Sequence, residues 1–129
     1  MGVYSTDKDG VLTFYNESAA RIWGRNPLPN SREEIPFAGS KKIYNAEGGI
    51  IPHNESPLAK VLHSKTKIQE QELIIEQPGG HRVTILLNIE PLFDDNHILT
   101  GTISVFQDIS EKKHTEIGMR RLAAIRPTT

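Results

Sequence analysis

Residues 82–90, Arg-Val-Thr-Ile-Leu-Leu-Asn-Ile-Glu, alternate almost strictly. Val83, Ile85, Leu87 and Ile89 fall on one side; Arg82, Thr84, Asn88 and Glu90 fall on the other, and Leu86 is the one exception. That period of two belongs to a strand with one buried face and one solvated face. Such strands are typical of antiparallel sheets, because parallel strands are covered on both faces by their crossover helices. The flanking residues agree. Residues 69–77 contain Leu73-Ile74-Ile75, and Pro78-Gly79-Gly80 makes a turn. After a second turn at Asp94-Asp95-Asn96-His97, residues 98–107 are rich in Ile, Thr, Val and Phe. Pro91 is expected to end the clean pairing of the middle strand, since proline has no donor for the ladder. Three hairpin-like strands without crossover helices predict an antiparallel sheet with helices over one face, an α+β architecture.

The opening residues read as another hairpin. Residues 3–6 and Val11-Leu12-Thr13-Phe14-Tyr15 flank Asp7-Lys8-Asp9-Gly10, where Asp-Gly suits the positive φ of a tight turn. Asn16 is a natural N-cap for a short helix that reaches Trp23, and Gly24 is placed to end it. From Arg25 to Pro57 five prolines and three glycines rule out a long element, and the segment reads as irregular. Ser31-Arg32-Glu33-Glu34 fits a capping box for about one turn. Ser56-Pro57 opens a helix ending near His63, whose Leu58, Val61 and Leu62 share one face.

Asp108-Ile109-Ser110-Glu111 has capping-box spacing, with Asp108 as N-cap. It opens a charged helix from residue 111 to about 125, stopped by Pro127. Thr115, Gly118, Leu122 and Ile125 form a narrow seam on it. The division expected is a domain over residues 1–110 and a connector helix and tail over 111–129, leading toward a further segment of chain.

Composition excludes several chemistries. The 129 residues contain no cysteine, which removes disulfides, thiolate metal sites and thiol nucleophiles. Lys plus Arg number 15 against 16 acidic residues, so no charge excess points to nucleic acid or an anionic membrane. Ile85-Leu86-Leu87 is far short of the ~20 apolar residues of a membrane span. The N-terminus has no basic and apolar leader pattern, so a cytoplasmic location is expected. There is no Gly-rich phosphate loop, no His-Glu-x-x-His and no Gly-x-Ser-x-Gly, and nothing argues for an enzyme.

An ordered set of stretches resembles a PAS domain, the sensor module of many bacterial signalling proteins. The set comprises Thr6-Asp7-Lys8-Asp9-Gly10-Val11-Leu12-Thr13-Phe14-Tyr15-Asn16, Ile22-Trp23-Gly24-Arg25, Ser56-Pro57-Leu58-Ala59 and Pro78-Gly79-Gly80-His81-Arg82. Glu90-Pro91-Leu92-Phe93-Asp94 and the closing stretch from Gly101 through Asp108-Ile109-Ser110-Glu111 complete it, over about residues 2–116. The resemblance implies a five-stranded antiparallel sheet of order 2-1-5-4-3 with short helices on its inner face. It also implies a sensor or dimerisation role that feeds an effector such as a histidine kinase.

Under the resemblance, Leu73, Ile75, Val83, Ile85, Leu87, Ile89, Thr102, Ser104 and Phe106 face the helical layer. Two readings stay open for them: a mainly apolar pocket for a small molecule, or a closed core in which they touch one another. Leu99, Ile103 and Val105 lie on the other face, with Ile74 and Leu86 as neighbours, and suit a homodimer interface or cover by a flanking helix. Asp108, Ser110 and Glu111 form the expected signal joint between sheet and connector. A ligand-free dimerisation module is the alternative function, with pocket catalysis or carriage a third reading that lacks a convergent acid–base set.

Cofactors narrow in the same way. Light-sensing flavin PAS domains and the coumaroyl photoreceptors form covalent adducts with a cysteine, so that chemistry is excluded; noncovalent flavin has nothing pointing to it. Haem-binding relatives use a histidine on the helix beside the pocket. His53 falls near that position, but it precedes Ser56-Pro57 and is expected in an extended segment without the rigid orientation of an axial ligand, so haem is not expected. His63 is expected to be solvated. His114 lacks the following acidic residue and proline of a phosphoacceptor and reads as an exposed connector residue. Asp94-Asp95-Asn96 lacks the alternating ligands of a calcium loop and reads as a plain turn.

Overall fold

In a computed structural model of the chain, residues 1–31 and 42–110 are described. Arg32-Glu33-Glu34 of the expected capping box, Glu111, His114 and the expected connector helix lie outside them. In chain order the described elements are β1 (Gly2–Asp7), β2 (Leu12–Tyr15), α1 (Glu17–Trp23), β3 (Lys42–Tyr44) and β4 (Ile50–Ile51). A 3-10 turn (His53–Glu55) precedes α2 (Pro57–Ser64), and β5 (Ile68–Glu76), β6 (Arg82–Phe93) and β7 (Leu99–Asp108) complete the set.

The caps form where the side chains dictate. Asn16 Oδ1 accepts the amide of Ala19 at 2.9 Å to open α1, and also that of Val3 at 3.1 Å, tying the helix to β1. Gly24 closes α1 at φ 72°. Ser56 Oγ accepts the amide of Ala59 at 3.2 Å, with Pro57 behind it in the first turn of α2.

Four hairpin tips close alike. Asp7, Asn45, Gln77 and Asp94 each donate their amide to the carbonyl four residues on and accept the amide three residues on, at 2.7–3.1 Å. The residue three on has positive φ every time: Gly10 83°, Gly48 89°, Gly80 93° and His97 61°. In three of them the first side chain also caps the loop, Asp7, Asn45 and Asp94 each accepting two loop amides.

Every strand pairing is antiparallel, and among the described residues one seven-stranded sheet runs β2-β1-β7-β6-β5-β3-β4. Its first five strands reproduce the expected order 2-1-5-4-3. The two extra strands form a short hairpin on the β5 edge, inside the segment whose prolines and glycines read as irregular. A second difference concerns Pro91. Strand β6 continues through it to Phe93, pairing Pro91 with Thr102, and the register slips only between Leu92 and Phe93. Beyond Ile89, β6 has no further pairing with β5, so a proline there can lie at an unpaired edge, where its missing donor is harmless.

The core lies between the sheet and α1 and α2. Tyr4, Trp23 and Phe106 meet at its centre with ring centroids 5.3–5.7 Å apart, Trp23 stacked on Phe106 and Tyr4 edge-on to both. Phe106 fits because Gly2 lies opposite: a Cβ there would stand 2.6 Å from its ring. Leu58 and Val61 of α2 bury their side chains in the same cluster.

Candidate functional site

The ladders put the nine inner-face residues on one surface. Leu73 pairs with Ile85 and Ile75 with Val83; Leu87 pairs with Phe106 and Ile89 with Ser104. Ser104 and Thr102 in turn face Tyr4 and Thr6 of β1. All nine are at most 5% exposed, so within the described residues they contact one another and the helices rather than solvent. No charged side chain is buried among the described residues; the buried polar groups there are hydroxyls.

Those hydroxyls differ. Thr6 and Thr102 share a hydrogen bond at 2.8 Å. Ser104 Oγ is buried and makes no hydrogen bond of good geometry. Burial pushes the Tyr4 phenol above its ordinary value, and the neighbouring Ser104 hydroxyl offsets part of that rise. The two hydroxyls are neighbours without a formed bond, and Ser104 keeps unused hydrogen-bonding capacity.

At the far end of β7 the chain leaves the sheet through a closed joint. Asp108 pairs with Ile85, and one step on the amide of Ile109 donates to the Thr84 carbonyl at 2.9 Å. The returning bond from the Thr84 amide is accepted by Ser110 Oγ at 3.0 Å, a side chain taking the place of a ladder carbonyl. Asp108 Oδ1 accepts the amide of Ser110 at 2.9 Å. Two of the three expected joint residues thus act together on β6, with Glu111 outside the described residues.

On the outer face Val105 lies between Val3 and Asn88, and Ile103 between Ser5 and Glu90. Leu99 is set apart at the hairpin end, roughly 13 Å along the strand from Ile103. All three are half-buried. Ile74 and Leu86 also face outward, opposite Thr84 and Gln107.

His53 begins the single 3-10 turn before α2 and is half-buried, where an extended segment was expected; the turn forms because Glu55 and Ser56 amides reach back to Pro52 and His53 carbonyls. His63 is in the last turn of α2 and exposed. No group of three acidic, histidine or cysteine side chains able to hold a metal occurs among the described residues.

A family model described as PAS domain matches residues 1–111. The chain belongs to the PAS domain family. PAS domains are sensory and signalling modules rather than catalysts, and the fold is shared with photoreceptor structures. Aureochrome1 LOV in its light state superposes with a TM-score of 0.61 at 12% identity, over 93% of this chain and 90% of that one. The light-state dimer of the fungal blue-light photoreceptor Vivid gives 0.60 at 12% identity, over 83% and 76%. A PAS domain from Colwellia psychrerythraea gives 0.54 at 17%, over 85% and 86%. No curated protein matches the sequence closely enough to serve as a relative. At these identities the likeness is one of fold.

Sequence reasoning missed three features of this PAS domain. Tyr4 and Trp23 complete the aromatic centre around Phe106, and Thr6 partners Thr102, yet none stood among the expected inner-face residues. The β3–β4 hairpin had a readable signal: Asn45-Ala46-Glu47-Gly48-Gly49 repeats the spacing of a capping side chain and a glycine three residues on, seen in Asp7-Lys8-Asp9-Gly10. Gln77 donates its side-chain amide to the Ile22 carbonyl at 3.0 Å, closing α1 from the β5–β6 turn, and nothing local in the sequence signals that.

Proposed function

We propose that this PAS domain is a cytoplasmic sensor module: a small molecule on the inner face of the sheet biases the chain leaving β7, and the connector relays the change to an effector such as a histidine kinase. The joint at Thr84 carries the reading. Strand β6 supplies four of the nine inner-face residues, and the same strand holds Ile109 and Ser110 by two hydrogen bonds. A shift of β6 therefore bears directly on where the chain departs. A ligand moves that equilibrium only by binding one arrangement more tightly than the other. The unbonded Ser104 hydroxyl gives such a ligand a polar contact in an apolar wall.

A second reading, a ligand-free dimerisation module, is favoured by the tightness of that wall, whose nine residues are at most 5% exposed. In both readings two copies pair through the outer face around Ile103 and Val105, with Leu99 at its margin; the Vivid structure, a dimer, supports pairing as a mode this fold uses. Native mass spectrometry of protein taken from cells separates the two. A stoichiometric bound metabolite is expected for the sensor. A bare polypeptide that still dimerises would leave the scaffold reading alone.

A further inference from the structure

A groove of about 560 Å³ opens where the β3–β4 hairpin and α2 pass the start of β5. Ile51, Ile68 and Leu73 give it an apolar floor; Leu73 belongs to the core and the other two pack against it. Its volume is within the range of small-molecule sites.

Strand β5 is irregular at this point. Ile68 pairs with Ile89 and Gln71 with Leu87, so three steps along β5 oppose two along β6. The bulge puts Glu70 at φ 51°, and Asn88 Oδ1 accepts its amide at 3.0 Å. Bulges re-aim side chains and gather at sites. Here the extra residue keeps Ile68 facing inward and sets Gln71 opposite the buried Leu87, a polar residue in the row that continues as Leu73 and Ile75. Gln71 lines the groove and is exposed. Glu55 and Lys60, one charge of each sign, also line it, so neither an anion nor a cation is favoured overall.

We propose that this groove binds a small uncharged molecule with an apolar body and one hydrogen-bonding head, the body on Ile51, Ile68 and Leu73 and the head on the Gln71 amide. Gln71 Nε2 donates one hydrogen to the Glu72 carbonyl at 3.2 Å, which leaves its second N–H and its carbonyl oxygen for an amide or alcohol head. The signalling consequence rests on the sensor reading above, whereas the binding rests on the groove alone.

Titration of the full chain with octanamide, octanol, octanoate and octylamine, followed by amide NMR, tests this. Octanamide and octanol should give saturable shifts at Ile51, Ile68 and Gln71, with the two charged probes weaker. Gln71→Leu should weaken octanamide about fivefold, the worth of one neutral hydrogen bond. Ile50→Trp, on a rim residue 67% exposed, should block the groove without touching the core and abolish saturation. Shifts centred on Ser104 and Phe106 instead, no saturable shift with the neutral probes, or binding unchanged in both variants would overturn the proposal. Probe binding here together with no cellular metabolite in native mass spectrometry would count against the sensor reading and leave the groove intact.

Discussion

Position 97 holds a histidine in the conformation that glycine adopts at positions 10, 48 and 80 of the equivalent loops. A left-handed non-glycine residue costs about 1 kcal/mol or more, and glycine returns part of that as unfolded-state entropy. His97→Gly should therefore raise stability by about 0.5 kcal/mol, read as a higher urea midpoint at unchanged slope. Gly101 is the opposite case. Its φ is unremarkable, but a Cβ would be driven into the backbone carbonyl oxygen of Thr6 across the β1–β7 pair. Backbone cannot give way like a side chain, so Gly101→Ala should cost about 3 kcal/mol, at the upper end of overpacking. A melting temperature within a degree or two of wild type would contradict that. Tyr4 makes the pH case. Because burial raises its folded value, the unfolded chain releases the phenolic proton first as pH passes about 10. Above that point the unfolded state binds fewer protons, so stability falls with rising pH; below it Tyr4 contributes no slope. Urea midpoints at about pH 9 and 11 should lie closer together for Tyr4→Phe than for wild type, and equal losses in both proteins would count against the assignment.

At the scale of elements, the joint between β7 and the departing chain depends on one hydroxyl. Ser110→Ala removes the acceptor of the Thr84 amide, a loss of about 1–3 kcal/mol if that amide stays dry. Hydrogen exchange should quicken at Thr84 and Ile109 and leave the β1–β2 hairpin unchanged. Uniform quickening across the sheet would mean that the joint is only one more piece of general stability. Strand β6 shows how much of an element is legible in advance. Its face assignment follows from alternation alone, since side-chain direction is set residue by residue. Its length does not: Pro91 reads as an end, and only the lack of further pairing with β5 beyond Ile89 makes it harmless. The bulge in β5 is likewise unreadable, because Gln69 and Glu70 carry no local mark and Asn88, 18 residues on, satisfies the displaced amide.

At the scale of the whole molecule, the seven-stranded sheet has an outer face with a half-buried apolar strip around Val3, Ile103 and Val105. If two copies meet there, Val105→Glu introduces a pair of like charges and should shift the mass seen by light scattering to that of a monomer at concentrations where wild type is a dimer. Dimer of unaltered strength in the variant would move the interface elsewhere.

Strand faces, helix caps and three of the four hairpin tips were legible in the chain itself, because each depends on residues within a few positions: a period of two, an Asn or Ser ahead of a helix, or a turn-forming run such as Asp-Gly or Pro-Gly-Gly. The five-strand order came from resemblance rather than from any local signal. What only the tertiary structure decided is the set of meetings between distant positions. Gln77 caps a helix 55 residues earlier, Ser110 completes the ladder at Thr84, and Tyr4 and Trp23 close on Phe106. Hydrogen bonds and packing across such separations depend on where the sheet brings two segments together, and neither segment alone carries that information.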